Sequence, residues 1–267
     1  AGKSRPLGFG EFTDAESTPA AERELLRNRE YVLALLASAI SPEDRRLIVE
    51  LLDVIISGQE LDLRHFTGGT SERPAVLQTE DELDDYTYRV AGCVGEFWTK
   101  MCQAHLPGME MLSVDDGIRF GKGLQLVNIL RDLPRDLRQG RCYLPEESLR
   151  AIGLRPADLL DPANEPELRA LYHSYLDKAA THLAAGWEYT NALPRRFIRL
   201  RLACAWPVLI GIKTVERLRA ANILDPLHTV KASRSEVRAI IAGTLLRYPW
   251  PESWRRLYPL SDSRNSS

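Results

Sequence analysis

Gly121-Lys-Gly-Leu-Gln125-Leu-Val-Asn128-Ile-Leu-Arg131-Asp132-Leu-Pro-Arg135-Asp136, running on to Gly140-Arg141-Cys-Tyr143-Leu-Pro145, is the stretch that decides the fold. Leu124, Leu126, Val127, Ile129 and Leu130 make an apolar background. Gln125, Asn128, Asp132 and Asp136 interrupt it at intervals of three, four and four residues. On a 3.6-residue helix those intervals keep the four polar groups on one drifting stripe. Such groups are costly to bury without partners, so the stripe asks for a ligand. Asp132 and Asp136 stand about 6 Å apart along the axis, one turn, which suits two carboxylates sharing hydrated Mg²⁺ with a phosphate. Arg131, Arg135 and Arg141 lie close by, and guanidinium forks match phosphate oxygens. A plainer reading is an exposed helix laced with local charge pairs, each worth a few tenths of a kcal/mol. For two aspartates alone that reading is preferred; Gln125 and Asn128 within the apolar run tilt the balance toward a site.

Upstream lies Tyr86-Thr-Tyr88-Arg-Val90-Ala91-Gly92-Cys-Val94-Gly95. Its small residues Ala91, Gly92 and Gly95 predict a helix face that packs closely or leaves room for a bulky apolar ligand. This segment resembles the YxYxVAGxVG signature of the squalene/phytoene synthases, and Leu124–Pro145 resembles their second aspartate-rich motif. The order and separation of the two segments fit as well. A weaker resemblance extends from about Pro19 to about Arg247 and takes in Leu202–Pro207 and Val230–Arg234.

The resemblance implies an all-α isoprenoid-synthase bundle around a deep apolar cavity. It implies head-to-head condensation of two allylic isoprenyl diphosphates, with farnesyl diphosphate giving presqualene diphosphate and squalene as the preferred outcome. Dehydrosqualene and phytoene are the alternatives. Mg²⁺ is implied, with Asp132, Asp136 and Asn128 as its ligands; NADPH is implied only for the squalene outcome. Tyr86 matches the tyrosine beside the reacting carbons, where its ring could stabilise a carbocation, and Arg131 is its expected catalytic companion. Gln125, Asn128, Arg141, Tyr143, Lys231 and Arg234 are the expected substrate-binding residues. Gln59, Asp62 and Arg64, at the polar end of an apolar helix, read instead as a solvated helix end. The acidic pair Asp115-Asp116 reads as a helix cap, and Asp81–Asp85 as the approach to the tyrosine helix.

Family members carry a first aspartate-rich motif on a facing helix, expected upstream of residue 20. Gly10-Glu11-Phe12-Thr13-Asp14 stands where it would end and retains one aspartate. The chain therefore reads as a member lacking that motif. Loss of half a metal cage makes a catalytically impaired fragment, or a non-catalytic helical protein binding lipid or a partner, the reading from another class.

Bulk composition agrees with helices. Of 267 residues 44% are apolar and only 7% aromatic, and runs of Val, Ile, Thr and Tyr are missing. Net charge is −2, which points to no nucleic-acid partner. No run of eighteen apolar residues suggests a membrane span. The four cysteines form no CxxC pair and read as buried free thiols of a reducing, cytoplasmic compartment. Trp250, Trp254 and Tyr258 beside Arg255 and Arg256 are compatible with peripheral membrane association, and equally with packing on the bundle. Oligomeric state is left open. Residues 1–18 read as a flexible segment, 19–250 as one domain and 251–267 as a tail. Helices are expected over 21–38, 42–66, 80–105, 115–136, 146–152, 165–192, 194–221 and 233–247. Pro134 and Pro207 are expected to kink the helices they interrupt.

Overall fold

In the computed structural model residues 19–225 and 230–259 are described. The expected flexible segment 1–18, with Gly10–Asp14, lies outside them, as do 226–229 and the last residues of the expected tail, 260–267. The chain divides into two compact units whose boundary falls between Val49 and Glu50. The fold is all-α, as expected.

In the first unit α1 spans Ala20–Arg27 and α2 spans Arg29–Ser38. The single helix expected over 21–38 is thus two. Asn28 separates them: its Nδ2 donates to both the Glu24 carbonyl and the Glu24 carboxylate, a local alternative to helix bonding that asparagine favours. α3 then begins at Pro42 and runs to Phe66, across the unit boundary. Ser41 caps it by accepting from the Asp44 amide at 3.1 Å, as its sequence predicts.

The second unit continues with β1 (Ala75–Val76), α4 (Glu80–Thr87), a π-helical turn (Tyr88–Gly92) and α5 (Cys93–His105). Next come α6 (Val114–Arg138), β2 (Arg141–Cys142) and α7 (Glu146–Ala151). Two 3₁₀ turns (Pro156–Leu160 and Pro162–Asn164) lead to α8 (Glu165–Ala192), α9 (Ile198–Ala220), α10 (Arg234–Arg247) and α11 (Pro251–Arg255). Ser113, rather than the Asp115-Asp116 pair, supplies the cap of α6, accepting from the Asp116 amide at 3.0 Å. The aspartates occupy its first turn, where they complement the helix dipole.

α6 is the central element, packed along α8 and flanked by α5, the π turn and α9. Glycines let it come that close. A Cβ on Gly95 would stand 1.9 Å from the Gly117 carbonyl oxygen, and one on Gly121 would stand 2.2 Å from the Ala91 oxygen. On the other side, Gly186 of α8 lies under the Phe120 ring. Of the two roles open to the small residues around Gly95, close packing is therefore realised.

α6 runs through Pro134 as one helix. Proline has no N–H, so the Leu130 carbonyl four residues back loses its helical partner. The buried Tyr172 hydroxyl of α8 replaces it, donating to the Leu130 oxygen at 3.0 Å. The cysteines are buried and free, as expected. No helix among the described residues is long and apolar enough to cross a membrane.

Two further elements depart from expectation. The helix expected over 80–105 contains the π turn at Tyr88–Gly92, and a two-residue parallel pair joins β1 to β2 in the register Ala75–Arg141 and Val76–Cys142. The pair is fixed by a close approach: Gly140 has φ +79°, and a Cβ on Gly69 would sit 2.1 Å from its oxygen. Strands this short carry no hydrophobic alternation to read.

Gly95→Ala should destabilise the protein by about 1–3 kcal/mol, since an added methyl meets backbone that cannot swing aside; urea denaturation measures it. Tyr172→Phe should cost a similar amount, about 1–3 kcal/mol, because it leaves the buried Leu130 carbonyl unpaired. Pro134→Ala in the Tyr172→Phe background should recover much of that loss, which a double-mutant cycle of unfolding energies would read.

Candidate active site

Gly58, Asp62 and Phe66 follow one another at intervals of four on α3 and share a face. Gly58 and Phe66 are buried, so Asp62 between them also points inward. Its carboxylate accepts from Arg141 Nη1 at 2.9 Å, from the Tyr143 hydroxyl at 3.1 Å and from the Tyr86 hydroxyl at 3.4 Å. The donors are delivered by the strand pair: β2 lies beside β1, directly after α3, so Arg141 and Tyr143 come up against its last turns. The Tyr143 ring packs on Phe66 (centroids 4.8 Å) and Tyr86 (5.0 Å), and the Arg141 guanidinium lies 5.7 Å from the Phe66 ring centre. Burial, reinforced by Tyr143 and the Asp62 charge, pushes the Tyr86 phenol far above its usual range, so it stays protonated and donates. From sequence Asp62 reads as a solvated helix end; the structure makes it the organiser of three expected site residues. The signal was its place midway between Gly58 and Phe66.

Asp132 and Asp136 project from the last turns of α6. Arg131 grips Asp132 with two hydrogen bonds, Nε at 2.9 Å and Nη2 at 2.8 Å. Arg135 reaches both carboxylates, at 3.1 Å to Asp132 and 3.2 Å to Asp136. The two acids are nevertheless in opposite electrostatic situations. The Arg131 hydrogen bonds hold Asp132 below the usual carboxylate range, with Arg135 and Lys231 adding to the effect. Asp136 is buried, and that burial raises its pKa against the pull of Arg135, with the Asp132 charge adding to the rise.

Most of the expected residues meet here. Lys231 is near enough to act on Asp132, and Arg141 near enough to act on Asp136. Gln125 is half-buried and Asn128 exposed along the same helix. Among the described residues neither makes a side-chain hydrogen bond, so this end of the stripe remains open to a ligand. Arg234 is exposed at the start of α10 and makes none of the contacts of the carboxylates. The four cations Arg131, Arg135, Arg141 and Lys231 exceed the three carboxylates Asp62, Asp132 and Asp136, which favours an anionic ligand. An apolar cavity of about 350 Å³ opens along the same helices, lined by Val90, Ala91, Val94, Trp98, Phe120 and Leu124 among others.

Asp132 and Asp136 fit the donor set of Mg²⁺, a hard cation that takes one or two carboxylates where phosphates and water complete its shell. The carboxamide of Asn128, one turn before Asp132, is a further oxygen of the right kind. Among the described residues no group of three or more His, Cys, Asp or Glu could hold a metal without such help.

The chain matches the squalene/phytoene synthase family model over residues 8–236. It is 31% identical over 210 residues to the 15-cis-phytoene synthase of Synechocystis sp., covering 76% of this chain and 56% of that protein. It is 32% identical over 197 residues to the presqualene diphosphate synthase of Rhodopseudomonas palustris, covering 72% of this chain and 63% of that one. The chain thus spans less than two thirds of the length of the curated relatives it matches. A solved ligand complex of TcSQS shares its fold with a TM-score of 0.73 at 17% identity, over 97% of this chain and 74% of that one.

The two aspartates should respond oppositely to neutralisation. Asp132→Asn should lower stability by about 1–3 kcal/mol at neutral pH, because it breaks a charge-assisted pair. Asp136→Asn should raise stability there. A carboxyl whose folded pKa lies above its unfolded value supports the fold when protonated and opposes it once pH climbs through the raised pKa. Denaturant unfolding at pH 7 and again near pH 4 checks this: the gain from Asp136→Asn should be present at the first and shrink at the second.

Proposed function

The chain belongs to the squalene/phytoene synthase family, and from that premise we propose that it binds isoprenyl diphosphates and joins two of them head to head. The observation that carries the reading is the meeting along α6 of a cationic cluster, two carboxylates one turn apart and, on its preceding turns, an apolar cavity. Arg131, Arg135, Arg141 and Lys231 receive the diphosphate oxygens, with Gln125, Asn128 and Arg234 along the approach. Asp62 holds Arg141 and Tyr143 in one orientation, so the cluster is set before substrate arrives. The cavity takes the isoprenyl chain along its apolar wall.

Tyr86 sits one turn before Val90 of that wall, and its neutral ring offers a π face toward developing positive charge. Its hydroxyl donates to Asp62 and its ring packs on Tyr143. Asp132, Asp136 and Asn128 would hold Mg²⁺, which when bound neutralises charge building on the leaving diphosphate. We read the substrate as farnesyl diphosphate and the product as presqualene diphosphate or squalene, the latter drawing on NADPH. The Tyr86–Arg131 pair is the catalytic core of this reading.

Incubation with Mg²⁺ and either farnesyl or geranylgeranyl diphosphate, with and without NADPH, followed by mass spectrometry of the extract, tests it. A C30 product from the first substrate is expected. Asp132→Asn and Tyr86→Ala should each lower the rate by about 10²-fold or more while remaining folded. Asp62→Asn should raise KM for the diphosphate more than it lowers kcat, since it loosens Arg141. A folded wild-type chain that neither forms product nor releases diphosphate would refute the proposal.

A further inference from the structure

A second cavity, of about 270 Å³, lies where the end of α8 meets the start of α9 and the turn from α10 to α11. It shares no residue with the site above. Its wall includes three arginines, Arg195, Arg201 and Arg255, together with Asn191, Tyr248 and Trp254, and no acidic residue. Arg201 is only 6% exposed. Two of its five N–H groups are used: Nη1 donates to the Leu193 carbonyl at 3.1 Å and Nη2 to Asn191 Oδ1 at 3.3 Å. Its buried Nε has no partner. The guanidinium lies between two aromatic rings, 5.3 Å from the centre of Trp254 and 5.8 Å from that of Tyr248.

A buried charge is ordinarily paired. Among the described residues no carboxylate reaches Arg201, and the charges that do act on it, Arg195 and Arg255, are of its own sign. The aromatic faces offset part of that repulsion. The frame around the guanidinium is firm. Trp254 stacks on Trp187 (centroids 5.5 Å) and donates from Nε1 to Asn191 Oδ1 at 2.9 Å. Arg195 spans the rim, donating to the Tyr248 and Pro249 carbonyls at 2.8 and 2.9 Å.

Three guanidiniums facing one concavity without a counter-ion form a receptor for a multivalent oxyanion, and arginine forks match phosphate best. We propose that the Arg195–Arg201–Arg255 cavity is a binding site for a phosphate-class anion, distinct from the condensation site. That chemistry has two sources, a soluble phosphate or diphosphate and the phosphate headgroup of a lipid.

The test uses the full chain without Mg²⁺. Thermal unfolding is followed against inorganic phosphate and, separately, diphosphate, with chloride at matched ionic strength as reference. The wild type is compared with Arg195→Gln/Arg255→Gln and with Arg131→Gln/Arg135→Gln, which disables the other cationic cluster. The rim pair is chosen because both side chains are exposed; since Arg195 also holds the Tyr248 and Pro249 carbonyls, the anion-free rim variant is first shown to unfold cooperatively with native helicity. In the soluble arm the wild type and the Arg131/Arg135 variant should gain stability from the anion, and the rim variant should bind it at least about tenfold more weakly. In the lipid arm, co-sedimentation with phosphatidylcholine vesicles containing phosphatidic acid should be lost in the rim variant and kept in the other. A rim-dependent response in the soluble arm assigns a free anion; one confined to vesicles assigns the lipid. The proposal is overturned if the rim variant matches the wild type in both arms, or if the wild type responds to neither.

Discussion

Backbone contact between α5 and α6 at Gly95 and Gly117 is the constraint on which the second unit depends. No side chain separates the two helices there, so neither can rotate or slide without a clash between main-chain atoms. Axial position on α6 is thereby set for everything further along it, including Asp132 and Asp136 some four to five turns away at about 3.6 residues per turn. The contact with α8 through Phe120 and Gly186 fixes the remaining freedom. Interiors packed this closely pass a displacement on rather than absorbing it. Pro134 belongs to the same account. It would fray the helix between the two carboxylates, and the hydroxyl from α8 holds the helix together at that point.

Within that frame the site divides its charges. Asp62 is spent on orientation: it is shared among an arginine and two tyrosines, and so immobilises them. Asp132 is fully answered by two guanidiniums, whereas Asp136 is under-compensated and buried. A group left in that condition is a cost to the fold, and costs of this kind concentrate at functional sites. The excess of cations over carboxylates is what makes an anionic ligand welcome, and the polar stripe ends where the apolar cavity begins.

Much of this was legible in the residues. The intervals of Gln125, Asn128, Asp132 and Asp136 give the helix and its functional face, because period is a direct consequence of helical geometry. Most of the long helices follow from apolar periodicity and from caps such as Ser41. The illegible parts depend on tertiary neighbours. Asn28 looks like one more polar residue in a helix until its amide is seen bonding Glu24. The β1–β2 pair is two residues long and is defined by glycine contacts from distant segments. Asp62 carries a local signal, its spacing from Gly58 and Phe66, but a carboxylate near a helix end is most often solvated. Tyr172 could not have been matched to Leu130 without knowing which helix lies beside Pro134.

The π turn at Tyr88–Gly92 has a consequence for how such a chain can change over generations. A π turn holds one residue more than the α turn it replaces, so it rotates the helix that follows by about 100° relative to the part before it. Tyr86 lies before the turn; Val94, Gly95 and Trp98 lie after it. Loss of a single codon inside the turn, even that of Arg89, would swing Gly95 off Gly117 and the cavity wall out of line with the phenol. A substitution here changes one contact, whereas a one-residue deletion re-aims every side chain that follows it. An alignment gap falling within these five positions would mark a lineage that has rebuilt its cavity.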